Sequence, residues 1–113
     1  MEQYKVYVDA KRQDWRVVKN NECEGEIVIK LPEFTMREKF TIKAVGLRQF
    51  INRFEIFAIR KALEIIKGKN IEHFVIYSDS QTAVYWARHP NVKWIPREEN
   101  EAGHILEEEK LKY

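Results

Sequence analysis

Phe74–Gln81 reads FVIYSDSQ. The apolar run that opens it, within Glu72–Ser78, is too short for a typical helix. It has the pattern of a central strand buried on both faces. The run ends on Asp79. Ser80–His89 then reads as a short helix that stops before Pro90. A buried strand ending in an acid carries that acid to the sheet edge where open α/β sheets bind ligands.

Two other stretches bring an acid to apolar, periodic sequence. Tyr4–Asp9, YKVYVD, alternates Tyr4, Val6 and Val8 against Lys5, Tyr7 and Asp9, so Gln3–Ala10 reads as a strand. Asn52–Leu63, NRFEIFAIRKAL, changes the period. Phe54, Ala58, Ala62 and Ile65, flanked by Ile59, Leu63 and Ile66, give a wide apolar stripe on a helix over Ile51–Lys67. Glu55 lies in its first turn and Gly68 is the expected stop.

Between these stretches, Gly25–Leu31 and Arg37–Val45 read as strands joined by a short turn around Pro32–Met36, hence antiparallel. Lys11–Glu24 is irregular, with a short extended piece expected at Trp15–Val18. Val92–Ile95 is a brief strand closed by Pro96, and Glu99–Lys112 is a final helix with Ile105, Leu106 and Leu111 inward. The order β-β-β-α-β-α-β-α predicts an α/β domain spanning residues 1–113 with a five-stranded mixed sheet and helices packed on it.

At 113 residues, with 44% hydrophobic residues, one core is expected and disorder is excluded. No apolar run is long enough to span a bilayer, so no membrane partner is expected. The N-terminus lacks a basic segment followed by an apolar one, and Cys23 is the lone cysteine. These features predict a cytoplasmic protein without a signal peptide. Net charge is +2 but uneven: Thr35–Asn70 is basic and Arg97–Tyr113 acidic. A basic middle suits a polyanion, and it also suits a plain solvated surface.

Each acid has a simple reading. Asn52 and Glu55 could form a capping box, Asp79 or Ser80 could cap the short helix, and Asp9 could be a solvated strand-end residue. Taken together they fit another chemistry. Three convergent carboxylates without a paired nucleophile suit a hard cation such as Mg²⁺. Two such ions can drive phosphodiester hydrolysis.

The residues resemble a known family at this point. Asn52-Arg53-Phe54-Glu55 with Ala58 and Ala62-Leu63 is similar to the first-helix motif of type 1 ribonuclease H. Ile76-Tyr77-Ser78-Asp79-Ser80-Gln81 resembles that family's fourth strand and its Asp-Ser-Gln turn. Arg37-Glu38-Lys39-Phe40 resembles its third strand. Val92-Lys93-Trp94 with Asn100-x-x-x-His104-x-Leu106 resembles its fifth strand and closing helix. The resemblance implies a ribonuclease H-like fold: an antiparallel meander of the first three strands, the fourth and fifth parallel to the first, and helices on both faces. It implies endonucleolytic cleavage of the RNA strand of RNA–DNA hybrids with two Mg²⁺ or Mn²⁺ ions, and no obligate protein partner. Asp9, Glu55 and Asp79 match three of the family's four metal-binding acids. Asn52 and Gln81 match its minor-groove contacts, and such amides can read base edges and 2′-hydroxyls.

The chain departs from the family pattern in four places. His104 stands where the family has its fourth acid. It is either a nitrogen ligand, better suited to Mn²⁺, or an exposed helix residue, with Glu108 one turn on as a substitute acid. The loop that carries a mobile His in many members is absent, since Pro96–Glu99 leads straight into the last helix. The basic helix that grips the hybrid in some members is missing, leaving Arg88, Lys93 and Arg97 as candidate phosphate contacts. Ala10-Lys11-Arg12 replaces the Gly-rich turn after the first acid. These departures keep two alternatives open: a weakly active or inactive nucleic-acid-binding module, and a same-fold nuclease acting on another substrate such as branched DNA. Trp86 and Trp94 are expected to pack, whereas Trp15 is a candidate stacking residue. His73 and His89 are expected to be structural.

Overall fold

The computed structural model describes residues 3–12, 22–43 and 50–110. Strand β1 spans Tyr4–Arg12, β2 Glu22–Lys30 and β3 Thr35–Lys43. Helix α1 covers Phe50–Gly68, β4 Phe74–Ser78, α2 Gln81–Ala87 and β5 Val92–Trp94. A 3₁₀ turn at Arg97–Glu99 leads into α3, Glu101–Lys110. The five strands form one sheet in the order β3-β2-β1-β4-β5. The β1–β2 and β2–β3 pairs are antiparallel, and β1–β4 and β4–β5 are parallel, as the family resemblance implies.

Strand alternation divides the side chains between two faces. Val6, Val8 and Ala10 of β1 and Ile27 and Ile29 of β2 meet the α1 stripe of Phe54, Ala58, Ile59, Ala62 and Ile66. On the other face, Val28 packs with Ala102 and Leu106 of α3, flanked by Tyr7 and Ile105. Each fully buried aliphatic or aromatic side chain contributes about 1.5–3 kcal/mol relative to exposure. This two-sided burial fixes the register: a slip of one residue would exchange the two faces.

Several boundaries differ from the sequence reading for identifiable reasons. β1 runs past Asp9 to Arg12 because Lys11 and Arg12 go on pairing with Glu26 and Gly25. β2 starts at Glu22 because β3 lies beside it as far as Lys43. Helix α1 ends at Gly68 as expected, but the left-handed residue that closes the turn beyond it is Asn70. Asn70 has φ 56°, and its N–H and that of Ile71 return to the Lys67 and Ile66 carbonyls in a Schellman motif. The last helix starts at Glu101, because the residues after Pro96 close a 3₁₀ turn instead. The expected piece at Trp15–Val18, the end of the third strand at Val45 and the inward Leu111 lie outside the described residues.

Gly25 is required by a close approach. A Cβ there would stand 2.5 Å from the Phe54 ring, whose other contacts include Phe40 at a centroid distance of 4.8 Å. At Gly68 a Cβ would meet nothing within 4 Å. Gly25→Ala is therefore expected to lower the urea unfolding free energy by about 1–3 kcal/mol. Gly68→Ala should leave it unchanged or raise it by up to about 1 kcal/mol. Equal effects at the two sites would contradict this packing.

Candidate metal centre

The parallel pairing of β1 and β4 aligns Tyr7 with Tyr77. Two residues further along stand Asp9, still paired with Val28 of β2, and Asp79, just past the end of β4, at the same edge of the sheet. Helix α1 packs on this end of β1 and places Glu55 against them. Carboxylate oxygens of Asp9, Glu55 and Asp79 all lie within 4.8 Å of one another. Asp9 and Glu55 are only 8% and 5% exposed, and Asp79 is half-buried.

The simple readings of these acids do not hold. Helix α1 is already helical at Phe50, so Asn52 lies inside it and not at its cap. Ser80 caps α2, its Oγ accepting from the Ala83 N–H at 3.1 Å, which leaves the Asp79 carboxylate free for other partners. Asp9 is buried, not solvated.

The electrostatics separate this cluster from an ordinary buried acid. Glu26 is as buried as Glu55, at 6% exposed, but Arg37 offsets its charge with contacts of 2.7 and 2.5 Å. Glu55 Oε2 is buried with no hydrogen-bond partner. Burial, followed by the charges of Asp9 and Asp79, holds the Glu55 carboxyl well above the usual carboxylate range. Burial and the charge of Asp79 push Asp9 up to about 6, against a smaller lowering from the Ala10 N–H and Arg97. Three acids in mutual repulsion, one with an orphaned oxygen, fit a hard divalent cation.

Asp79 is held from two sides. Trp94 Nε1 donates to its carbonyl at 3.1 Å. Asn100 Nδ2 donates to its Oδ2 at 3.1 Å and to the Val8 carbonyl at 2.9 Å, while Asn100 Oδ1 accepts from the Ala102 N–H and so caps α3. The fully buried Asn100 therefore ties the closing helix, β1 and Asp79 together. An Asn before an apolar-periodic run signals a helix cap in the sequence. Its second, long-range role does not.

His104 is not brought into the acidic group. Helix α3 turns Ala102, Gly103 and Leu106 inward, and His104, about 100° further round the helix than Gly103, is exposed. Its Nε2 hydrogen-bonds the Glu98 carbonyl at 2.6 Å. The inward residue at this point is Gly103, where a Cβ would stand 3.1 Å from Asp9 Oδ2. The side chain of Glu108, the other candidate, lies outside the described residues.

The remaining candidates surround the acids in sequence. Asn52 is half-buried in the α1 turn before Glu55, and Gln81 is exposed at the start of α2. Arg88 ends α2 in the left-handed conformation (φ 48°), and it is exposed, as are Lys93 and Arg97. Contrary to expectation, Trp86 and Trp94 do not pack away: they are 48% and 45% exposed, beside Tyr85 at 71%. His89 is structural, its Nδ1 accepting from the Asn91 N–H, and the His73 carbonyl accepts from the Tyr4 N–H. Trp15 lies outside the described residues.

No family model and no curated protein sequence matches this chain. Solved structures do match. The RNase H1 LC11, crystallised in complex with an RNA/DNA hybrid, aligns at TM-score 0.50 and 18% identity over 98% of this chain and 100% of its own. RNase H1 from the halophilic archaeon Halobacterium salinarum aligns at TM-score 0.51 and 17% identity over 98% of each chain. The fold is ribonuclease H-like. In this ribonuclease H-like frame the acidic cluster can bind a divalent metal ion. No helix among the described residues is long and apolar enough to cross a membrane.

The raised Asp9 value carries a pH dependence with a defined sign. Between the ordinary 3.8 and about 6 the folded chain holds a proton that the unfolded chain releases. The stability linked to Asp9 is thus present below about pH 4 and lost as the pH rises through about 6. In EDTA, Asp9→Asn should match wild type near pH 4 and exceed it by roughly 2–3 kcal/mol near pH 8 in urea unfolding. A difference that does not change with pH would contradict this assignment.

Proposed function

We propose that this chain is a metal-dependent endonuclease that cleaves the RNA strand of RNA–DNA hybrids. The observation that carries the reading is the convergence of Asp9, Glu55 and Asp79 with an orphaned Glu55 oxygen. It is supported by a ribonuclease H-like fold, one of whose neighbours was crystallised with such a hybrid.

Bound divalent ions, Mg²⁺ or Mn²⁺, would polarise the scissile phosphate and lower the pKa of an attacking water. The chain's own residues do the rest. Asp9, Glu55 and Asp79 would together hold the ions. Asn100 and Trp94 keep Asp79 at the edge of the sheet. Asn52 and Gln81 offer amide donors and acceptors to the minor groove of the hybrid. Arg88, Lys93 and Arg97 contact phosphates and set register without reading sequence. His104, bonded to the Glu98 carbonyl, locks the turn into α3, and the catalytic set is three acids.

A binding module with little activity is favoured by one observation, the His in the place of a fourth acid and its turn away from the cluster. The test is a labelled RNA–DNA hybrid incubated with purified protein in Mg²⁺ and in Mn²⁺. Cleavage of the RNA strand is expected, with Asp9→Asn losing cleavage but retaining binding. Hybrid binding without cleavage in either metal would favour the binding module, and cleavage of branched DNA but not of hybrids would move the activity to that substrate. His104→Ala should leave the metal dependence of cleavage unchanged. A tenfold or greater loss, on the order expected for a residue that supports a metal site, would return His104 to the site.

A further inference from the structure

We propose that Gly103 is a positioning residue for the metal centre: by lacking a side chain it lets α3 close over the acids while leaving Asp9 free to bind a cation. The inference rests on the metal reading given above and extends it to a residue outside the acidic set.

Two measurements define the contact. A Cβ at position 103 would stand 3.1 Å from Asp9 Oδ2 and 3.8 Å from Asp79 Oδ2. The first distance is tighter than an ordinary carbon–oxygen contact, so a methyl group here would press on the Asp9 carboxylate. The second puts the same methyl beside the oxygen that Asn100 holds. Retreat of the helix is restricted. Asn100 binds the Val8 carbonyl at 2.9 Å, and Ala102 and Leu106 pack on Val28. The carboxylate is therefore the group that must give way.

Gly103 lies inside a ten-residue helix, where glycine is the least favourable residue apart from proline. No positive φ demands it, since Gly103 does not adopt one and lies within α3. The space it leaves is the physical return for that cost. It borders the Asp9 and Asp79 carboxylates, which converge with Glu55 and its buried, unpartnered oxygen. An oxygen-ligated cation such as Mn²⁺ keeps coordination positions for water, and water needs volume on the open side of the ligands. Helix α3 covers that side, and glycine is the residue that lets it do so without filling the volume.

The helical preference and the metal site thus make opposite demands at position 103. Replacing Gly103 by Ala should favour helix formation and disfavour the cation. The test is thermal unfolding of wild type, Gly103→Ala and Gly68→Ala in EDTA and across a Mn²⁺ titration. In EDTA, Gly103→Ala should melt at or above the wild-type temperature. Its Mn²⁺ concentration for half-maximal stabilisation should rise roughly tenfold or more, the scale of a residue that supports a metal ligand. Gly68→Ala, with no neighbour within 4 Å, should keep the wild-type midpoint. If Gly103→Ala melts too low to titrate, the cost of that substitution is compared in the wild-type and Asp9→Ala backgrounds in EDTA. A cost present in wild type and absent beside Asp9→Ala would place the conflict on the Asp9 side chain as proposed, and an equal cost in both backgrounds would overturn the proposal. A wild-type midpoint that Gly103→Ala leaves unmoved overturns the role of Gly103 alone. Absence of any Mn²⁺ stabilisation of wild type overturns the metal reading, and the proposal with it.

Discussion

The structure turns on the repulsion among three carboxylates that the fold forces together. Asp9 and Asp79 must be neighbours because β1 and β4 pair in parallel and in register. Glu55 joins them because the apolar stripe of α1 is buried on the face of the sheet that holds Val6, Val8 and Ile27. Burial strengthens the repulsion, and Glu55 Oε2 is buried without a hydrogen-bond partner, whereas Arg37 pairs with Glu26. A domain built for stability alone would place apolar or paired residues there. The rest of the site maintains this arrangement: Ser80 takes over the helix cap, Asn100 and Trp94 hold Asp79, and Gly103 keeps the covering helix from filling the space.

The packing of the closing helix has a single organising residue. Asn100 is fully buried and uses both ends of its amide, one on the α3 backbone and one on β1 and Asp79. This helix has a modest apolar face, Ala102 and Leu106 on Val28, flanked by Tyr7 and Ile105. The polar anchor therefore matters more to its position than it would for α1, whose broad stripe packs on the main core. The Lys30–Glu101 pair at 3.2 Å is exposed on the same side and adds little by comparison.

Much of this architecture was legible in the sequence because it is written in local periodicity. The apolar run of β4, the alternation of β1 and the stripe of α1 gave the order and type of the elements, and the motif context singled out Asp9, Glu55 and Asp79. What escaped the sequence depends on contacts between distant segments. The role of Asn100 requires β1 to lie beside the closing helix. The turn beyond the end of α1 is closed by Asn70, which adopts the left-handed conformation that Asn tolerates. His104 sits at the motif position, but the rotation of α3 set by Asn100, Ala102 and Leu106 turns Gly103 inward in its stead. The exposure of Trp86 and Trp94 follows from short elements at the end of the sheet, which leave large rings uncovered.

The central claim is that Asp9, Glu55 and Asp79 share a divalent cation. Its most direct test is anomalous diffraction from crystals of the protein soaked in Mn²⁺. The account predicts anomalous density among these three carboxylates, within coordination distance of Asp9 and of Glu55 Oε2, and its loss in Asp9→Asn. Crystals that diffract well and show no anomalous density there, or a peak on His104 without the acids, would contradict it.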